Sequence, residues 1–187
     1  MIIHDFLPIS ESNGYGKRFV VWVQGCNRRC EGCFNQDMLS FDGGYAISAE
    51  SLFSSVPLGD VCGVSVSGGE PFEQSDELVH FFSLAHKAGL DTLAYSGYTY
   101  DELMRKPAAA AALRVTDILI DGAYEKDNPP IFAWTGSGNQ RVYHLIDGKI
   151  KSEASNAEGG DGEIIIDKNG NVVATGIFDG SFLKHLL

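Results

Sequence analysis

Apolar runs alternate with amphipathic segments along the first two thirds of the chain. Runs rich in β-branched and aromatic residues predict strands at residues 18–24, 61–67, 91–96 and 116–121. Apolar side chains at helical spacing predict helices at residues 48–56, 76–88 and 101–114, the last with a break near Pro107. Strands that alternate with helices indicate parallel βα units, whose functional loops follow the carboxyl ends of the strands.

After residue 140 the pattern changes to pairs of strand-like runs. RVYHLI and KIKSE flank Asp147-Gly148, and EIIID and VVATGIF flank KNGN, so each pair predicts a β-hairpin. The polar, glycine-rich residues 153–163 between the pairs are typical of a flexible linker. We therefore expect a core over residues 1–146 and a C-terminal β-hairpin extension over residues 147–187, packed on the same domain.

Size and charge exclude several function classes. A chain of 187 residues suits one domain with a proper core. Its formal net charge of −11 argues against non-specific binding to the phosphate backbone of nucleic acids. No apolar run approaches the roughly 20 residues that span a bilayer, and no secretory signal is visible at the N-terminus. We expect a cytoplasmic protein that binds neither nucleic acid nor membrane.

Three of the four cysteines lie together in GCNRRCEGCFN (25–35), directly after the first predicted strand. Clustered cysteines in a reducing compartment indicate metal rather than disulfides. Cys26, Cys30 and Cys33 have the spacing C-x3-C-x2-C, without the second pair that a structural zinc site usually has. A cubane iron–sulfur cluster takes one thiolate per iron, so three ligands would leave one iron open for chemistry. Cys62, in VCGVSVS, is expected to be a small core residue of a buried strand.

A second motif, SGGEP (67–71), follows the second predicted strand. Gly68 and Gly69 allow a close approach of the backbone to a ligand, and Glu70 adds a carboxylate that can receive an ammonium group. The same five residues also fit an ordinary turn. SGYTY and DGAY follow the next two strands, so all four loops are expected to converge at one edge of the sheet.

The cysteine spacing, with Gly-Gly-Glu about 35 residues later, resembles the radical S-adenosylmethionine enzymes. Within that superfamily, CEGCFN resembles the proteins that activate anaerobic (class III) ribonucleotide reductase, as do YSGYTYDEL (95–103), ILIDGAY (118–124) and WTGSGNQR (134–141). The matches run in order from about residue 14 to residue 144. The activators of this kind end soon after the segment that matches GNQRVYHL, whereas this chain continues.

The resemblance implies an α/β fold, an incomplete (β/α) barrel of the radical SAM type with about five or six parallel strands and a small C-terminal β appendage. It implies a 4Fe-4S cluster on Cys26, Cys30 and Cys33, whose open iron binds S-adenosylmethionine. Further cofactor-binding positions follow: Gly32 and Phe34 for the adenosyl side, Gly68, Gly69 and Glu70 for the methionine end, and Ser96 and Gly97 for the ribose or carboxylate.

The implied reaction passes one electron into the sulfonium of S-adenosylmethionine and yields a 5′-deoxyadenosyl radical. That radical removes hydrogen from a glycine Cα of the large reductase subunit, while the protein positions the cofactors. The implied partners are this glycyl radical enzyme and a flavodoxin- or ferredoxin-type reductant. Arg28 and Arg29 are expected to stabilise the anionic cluster, to meet the reductant, or to be a solvated pair. Residues 136–140 are expected to contact cofactor or substrate, or to form a plain surface loop.

Two alternatives stay open at this point. The same radical chemistry could act on another protein, a peptide or a small molecule. The chain could instead be a non-catalytic iron–sulfur or zinc module, which would not bind S-adenosylmethionine. His80 and His86, on the helix over residues 76–88, are expected to be surface or packing histidines because no partner motif accompanies them.

Overall fold

The computed structural model describes residues 1–154, 162–166, 169–170 and 172–176. An eight-stranded sheet forms its centre, and the main apolar core lies between this sheet and the helices. The strands of the sheet are β1 (Ile2–Ser10), β2 (Arg18–Val23), β3 (Tyr45–Ala46), β4 (Gly63–Gly68), β5 (Asp91–Tyr95), β6 (Ile118–Asp121), β7 (Arg141–Ile146) and β8 (Lys149–Glu153). The helices are α1 (Ala49–Phe53), α2 (Ser75–Lys87), α3 (Tyr100–Met104) and α4 (Pro107–Leu113). No helix of the described segments is long and apolar enough to cross a membrane.

The strand order of the sheet is β3-β1-β2-β4-β5-β6-β7-β8. Only β2, β4, β5 and β6 run parallel to one another, whereas β1 and β3 on one side and β7 and β8 on the other pair antiparallel. The mixed α/β class is confirmed, but the expectation of five or six parallel strands is wrong for the described residues. A parallel pair needs a long crossover, and the short loop after β1 permits only an antiparallel return.

The elements expected between residues 18 and 121 are present, with ends within two or three residues of those predicted. Ser48 caps α1 by accepting a hydrogen bond from the Ser51 amide, as its position suggested. The expected break at Pro107 separates α3 from α4, and Pro107 occupies the first turn of α4. Thr99 and Glu102 form a reciprocal capping box that fixes the start of α3.

The prediction that Cys62 is a core residue is wrong. It is exposed and lies immediately before β4, which begins at Gly63, so it is not a core residue of that strand. Its Sγ lies 3.2 Å from the Lys17 carbonyl oxygen, at the amino-terminal end of the parallel strands. Cys62 therefore stands at the opposite end of the sheet from the other three cysteines.

Both expected hairpins are present. β7 and β8 pair around Asp147 and Gly148, which have φ angles of 48° and 73°. β9 (Glu163–Ile166) and β10 (Val172–Thr175) form a separate antiparallel pair. β8 belongs to the main sheet, so β9 and β10 are the described strands of the extension that form a sheet of their own. The expected linker falls largely on residues 155–161, and the terminal FLKHLL also lies outside the described residues.

The face of the sheet that lies away from the helices carries a second, smaller apolar cluster. It includes Leu93, Ile120 and Trp134, and Trp134 packs against Tyr15 with ring centroids 4.1 Å apart. The side chain of Arg18, the first residue of β2, is fully buried at the amino-terminal end of the parallel strands. Its Nε donates a 2.7 Å hydrogen bond to the Ser65 hydroxyl. Arg18 fills the amino-terminal half of this face, and a cavity that Trp134 borders lies towards the carboxyl ends of the strands.

Candidate functional site

A cavity of about 510 Å³ opens at the carboxyl ends of the parallel strands. Its volume falls in the range of sites for small ligands and cofactors. Its lining contains the following residues expected at the site: Cys26, Cys30, Cys33, Phe34, Gly68, Gly69, Glu70, Ser96 and Gly97. Gly32 is not part of the lining and lies on the outer side of the loop, against the Lys126 side chain. The topology thus brings together loops that are far apart in sequence.

Backbone hydrogen bonds close the cysteine loop at its base, directly after β2. The Gly25 amide donates to the Met38 carbonyl at 2.9 Å, and the Cys26 amide donates to the Leu39 carbonyl at 3.2 Å. Burial is the main cause that raises the pKa of the thiols of Cys26 and Cys33. Because the thiolate is the form that binds metal, loading this loop must release protons.

The three thiols are not arranged around one point. Within the described segments, no group of three or more His, Cys, Asp or Glu side chains could hold a single metal ion. A 4Fe-4S cluster, in contrast, binds each thiolate through a different iron, so its ligands need to surround a larger body. All three thiols line the same cavity. The donor set therefore suits a 4Fe-4S cluster, with one thiolate for each of three irons.

Glu70 is buried at the floor of the cavity, with 1% of its surface exposed. Its carboxylate accepts hydrogen bonds from the Ser96 hydroxyl at 2.9 Å, the Gly97 amide at 2.8 Å and the Phe72 amide at 3.1 Å. Burial nevertheless outweighs these donors and raises the pKa of Glu70 to about 7. The three donors fix the position of the carboxyl group, and a cation placed beside it would favour its ionised form.

The structure shows why no larger side chain fits at the two glycines of SGGEP. Gly68 has a φ of 103°, and a Cβ there would lie 2.5 Å from the Val23 amide nitrogen. A Cβ on Gly69 would collide with the carbonyl group of Gly25. The turn therefore packs directly on the backbone that begins the cysteine loop. This close approach fixes the position of Glu70 relative to Cys26.

Arg28 joins the cysteine loop to the loop after β5. Its Nη1 lies 3.3 Å from the Glu102 Oε1, and its guanidinium carbon lies 4.8 Å from the centroid of the Tyr98 ring. The ammonium of Lys106 approaches the same ring at 3.5 Å, and the Tyr98 hydroxyl donates to Glu73 at 2.6 Å. The sequence analysis considered Arg28 but not Tyr98, because only the fold shows that two cations approach this ring.

Two further expectations concern residues around this centre. The amides of the 136–140 loop bind the chain itself: Gln140 Nε2 donates to the Gly122 carbonyl, and Asn139 Nδ2 donates to the Ala123 carbonyl, both at 2.8 Å. Gly136 and Gln140 still line the cavity. His80 pairs with Glu50 and His86 with Asp117, each at 2.9 Å, and neither histidine lines the cavity.

The cavity also has walls that sequence reasoning did not assign to the site. Aromatic side chains contribute from β2, from the end of β5, from the loop after β6 and from the loop before β7: Trp22, Tyr95, Tyr124 and Trp134. The segment from Val173 to Gly176, in the C-terminal extension, forms part of the lining as well. No local motif marks these residues, since their placement depends on the packing of distant segments.

A family model described as a 4Fe-4S single cluster domain matches residues 12–143. The anaerobic ribonucleoside-triphosphate reductase-activating protein of Enterobacteria phage T4 is 30% identical over 154 residues, which cover 78% of this chain and 96% of that protein. The proteins of the same name from Escherichia coli K12 and Vibrio cholerae are 31% and 30% identical, each over 78% of this chain and 99% of their own length. This chain belongs to that family of activating proteins.

Membership in the activating-protein family accounts for the cysteine loop, because the 4Fe-4S model spans Cys26, Cys30 and Cys33. The resemblance found in the sequence motifs is thereby confirmed. The match also ends where the sequence motifs end, since the model stops at residue 143 and the relatives are covered almost completely by 78% of this chain. The C-terminal extension is additional to the part that these relatives share.

Proposed function

We propose that this chain is a radical S-adenosylmethionine activase that installs a glycyl radical on anaerobic ribonucleoside-triphosphate reductase. The observation that carries the proposal is the single cavity in which the three cysteines of the 4Fe-4S domain meet Gly68, Gly69 and Glu70. The printed names of the relatives supply the reductase as the partner. Within this proposal the core is residues 1–146, an incomplete barrel of the radical SAM type, and residues 147–187 are its extension.

Cys26, Cys30 and Cys33 would hold the cluster, and Glu70 with Gly68 and Gly69 would hold the amino group and methionine end of S-adenosylmethionine. When bound, the cluster and this cofactor supply one-electron cleavage of the sulfonium and a 5′-deoxyadenosyl radical that takes hydrogen from a glycine Cα. Phe34, which lines the cavity and has 63% of its surface exposed, would cover the adenosyl side. Gly32 lies outside the lining and has a φ of 69°, so it would shape the turn between Cys30 and Cys33 rather than touch the cofactor.

The protein's own contribution is to bind, orient and protect. Glu70 stays in place through Ser96 and Gly97, so Ser96 and Gly97 position the carboxylate in addition to facing the cofactor. The aromatic walls of the cavity limit the access of water to the reacting groups. Arg28 and Lys106 place positive charge beside the cysteine loop, which supports the docking of an acidic flavodoxin- or ferredoxin-type reductant in a chain of net charge −11.

The test is anaerobic reconstitution with iron and sulfide, followed by reduction and addition of S-adenosylmethionine. We expect 5′-deoxyadenosine from the wild type and none from Cys30→Ala. Cys62→Ala is the matched control, because Cys62 is exposed at the other end of the sheet and should leave cluster and product unchanged. A Cys30→Ala variant that still cleaves the cofactor would refute the assignment of the ligands.

The partner is tested in a second step. With the reductase subunit present, we expect a glycyl radical signal in electron paramagnetic resonance that depends on Cys30. Cleavage of the cofactor without any such signal on the reductase would keep the radical chemistry and remove the proposed partner.

A further inference from the structure

The β9–β10 hairpin is a part of this chain that the family model does not reach. The model ends at residue 143, and the hairpin occupies Glu163–Ile166 and Val172–Thr175. The relatives are covered to 96–99% of their length by 78% of this chain. Any role of the hairpin is therefore additional to what those proteins share.

Buried polar groups attach the hairpin to the loop that follows β1. The Glu163 carboxylate accepts hydrogen bonds from the Ser10 hydroxyl at 2.8 Å and from the Glu11 amide at 3.1 Å. Asn13 Nδ2 donates to the Thr175 hydroxyl at 2.9 Å. Ser10, Asn13 and Thr175 are buried, so the bond between Asn13 and Thr175 is shielded from water, whereas the bond of Glu163 to the Glu11 amide is exposed. The hairpin thus has one defined position on the sheet.

That position places one end of the hairpin at the cavity. Val173, Ala174, Thr175 and Gly176 line the same cavity as the three cysteines. Thr175 faces the buried loop, whereas Ala174, the next residue along the strand, is exposed on the other face of the hairpin. Ala174 therefore belongs both to the cavity wall and to the outer face.

The outer face of the hairpin is apolar and exposed. Cross-strand pairing puts Ile164 opposite Ala174 and Ile166 opposite Val172, so these four residues share one face. Ile166 and Val172 have 67% and 62% of their surface exposed. A contiguous exposed apolar face that adjoins a functional cavity is typical of an interaction surface.

We propose that this face, Ile164, Ile166, Val172 and Ala174, binds the polypeptide of the reductase around the glycine that gives up its hydrogen. The inference rests on the proposed function, which requires a glycine Cα of a protein substrate to enter the cavity. A chain that carries this glycine must cross the rim, and the hairpin forms the rim where Ala174 lines it. Apolar side chains of the partner would bury this face and provide contacts beyond those of the shared core.

The experiment measures partner binding separately from chemistry. The cluster-loaded full chain is titrated against the anaerobic reductase subunit encoded in the same genome, in wild type and in the double variant Ile166→Ser/Val172→Ser. Both substitutions lie at exposed positions, so the fold should tolerate them. The matched control is Ile146→Ser, which removes an apolar side chain that is 59% exposed on the β7–β8 hairpin and is not part of the cavity lining.

We expect the dissociation constant for the reductase to rise about tenfold in the double variant and less than about twofold in the control. Cleavage of S-adenosylmethionine measured without the reductase should stay close to the wild-type rate, so the factor lost in affinity should be about ten times the factor lost in cleavage. Ala174→Asp, which puts a charge at the rim, should weaken binding at least as much. Unchanged affinity in the double variant and in Ala174→Asp would overturn the inference, as would an equal loss in the control.

Two results separate this inference from its foundation. A wild-type chain that never cleaves S-adenosylmethionine would refute the proposed function, whatever the binding data show. A chain that cleaves it and radicalises the reductase, but binds the reductase equally well with a polar hairpin face, would refute only the role of the hairpin. A double variant that changes the self-association of the chain in sedimentation, and not its affinity for the reductase, would identify a second copy as the occupant and overturn the proposal.

Discussion

Binding of S-adenosylmethionine should release a proton from Glu70, and the amount should depend on pH. Burial raises the pKa of Glu70 from 4.5 to about 7, so the side chain is largely protonated below that pH in the free cavity. An ammonium group placed beside it favours the carboxylate and lowers that pKa. Binding therefore converts the protonated fraction into released protons, and affinity should strengthen as the pH rises towards 7.

The magnitude follows from the raised pKa. With a pKa of about 7 before binding, the protonated fraction is about nine-tenths at pH 6, about half at pH 7 and about one-tenth at pH 8. If the bound ammonium keeps the carboxylate ionised over this range, those fractions are the numbers of protons released. The dissociation constant should therefore fall about fivefold between pH 6 and pH 7 and only about twofold between pH 7 and pH 8.

Calorimetric titration of the cluster-loaded protein in two buffers of different ionisation enthalpy counts these protons. Glu70→Gln is the control, because it keeps the size of the side chain and has no proton to lose, so any release from the ligand itself remains. The difference between the two proteins should fall from about 0.9 to about 0.1 proton between pH 6 and pH 8. A release that is equal in both proteins, or that does not fall over this range, would refute the role of Glu70.

Two predictions concern the scaffold that holds the site. Gly68→Ala should lower the free energy of unfolding by about 3 kcal/mol, because strain at a φ of 103° adds to the clash with Val23. Gly89→Ala is the control, since Gly89 has a φ of 77° but open space around it. In the same urea titration it should lower the free energy of unfolding by only about 1 kcal/mol. Equal losses would show that the backbone contact is unimportant. Asp91→Ala should cost about 3 kcal/mol, because it leaves the fully buried Arg18 without its anionic partner. Glu11→Ala, which removes an exposed pair with Lys17, should cost less than about 1 kcal/mol, and a comparable loss in both would contradict this reasoning.

The sequence predicted the four parallel strands at the centre of the fold, because these strands are rich in β-branched, aliphatic and aromatic residues and are bounded by glycine-rich loops. The sequence did not predict β1. Only Ile3 and Ser10 are buried in this strand and Pro8 interrupts it, so no alternation of apolar and polar residues is visible. Cys62 was misassigned for a related reason: its neighbour Val61 and the strand from Gly63 onwards are buried, and a pattern of residue types does not show where a strand starts.

The site divides in the same way. The cysteines and Glu70 were predicted because their chemistry is tied to short motifs, and the structure places them in one cavity. The contact of Arg28 with Tyr98 and the place of Val173 in the wall could not be predicted, because each depends on residues that are distant in sequence. The hydrogen bond between Ser10 and Glu163, for example, joins positions 153 residues apart.

The two faces of the sheet carry different kinds of interaction, and this explains how the extension could be added. The helix face is closed by a continuous apolar core that includes Leu78, Phe81 and Leu119. The opposite face is only partly filled, by Arg18, Trp134 and the loop after β1. An additional hairpin can attach to that loop through hydrogen bonds without disturbing the apolar core. Because its outer face lies away from this attachment, substitutions such as Val172→Ser are free to change partner binding without the loss of stability that core substitutions cause.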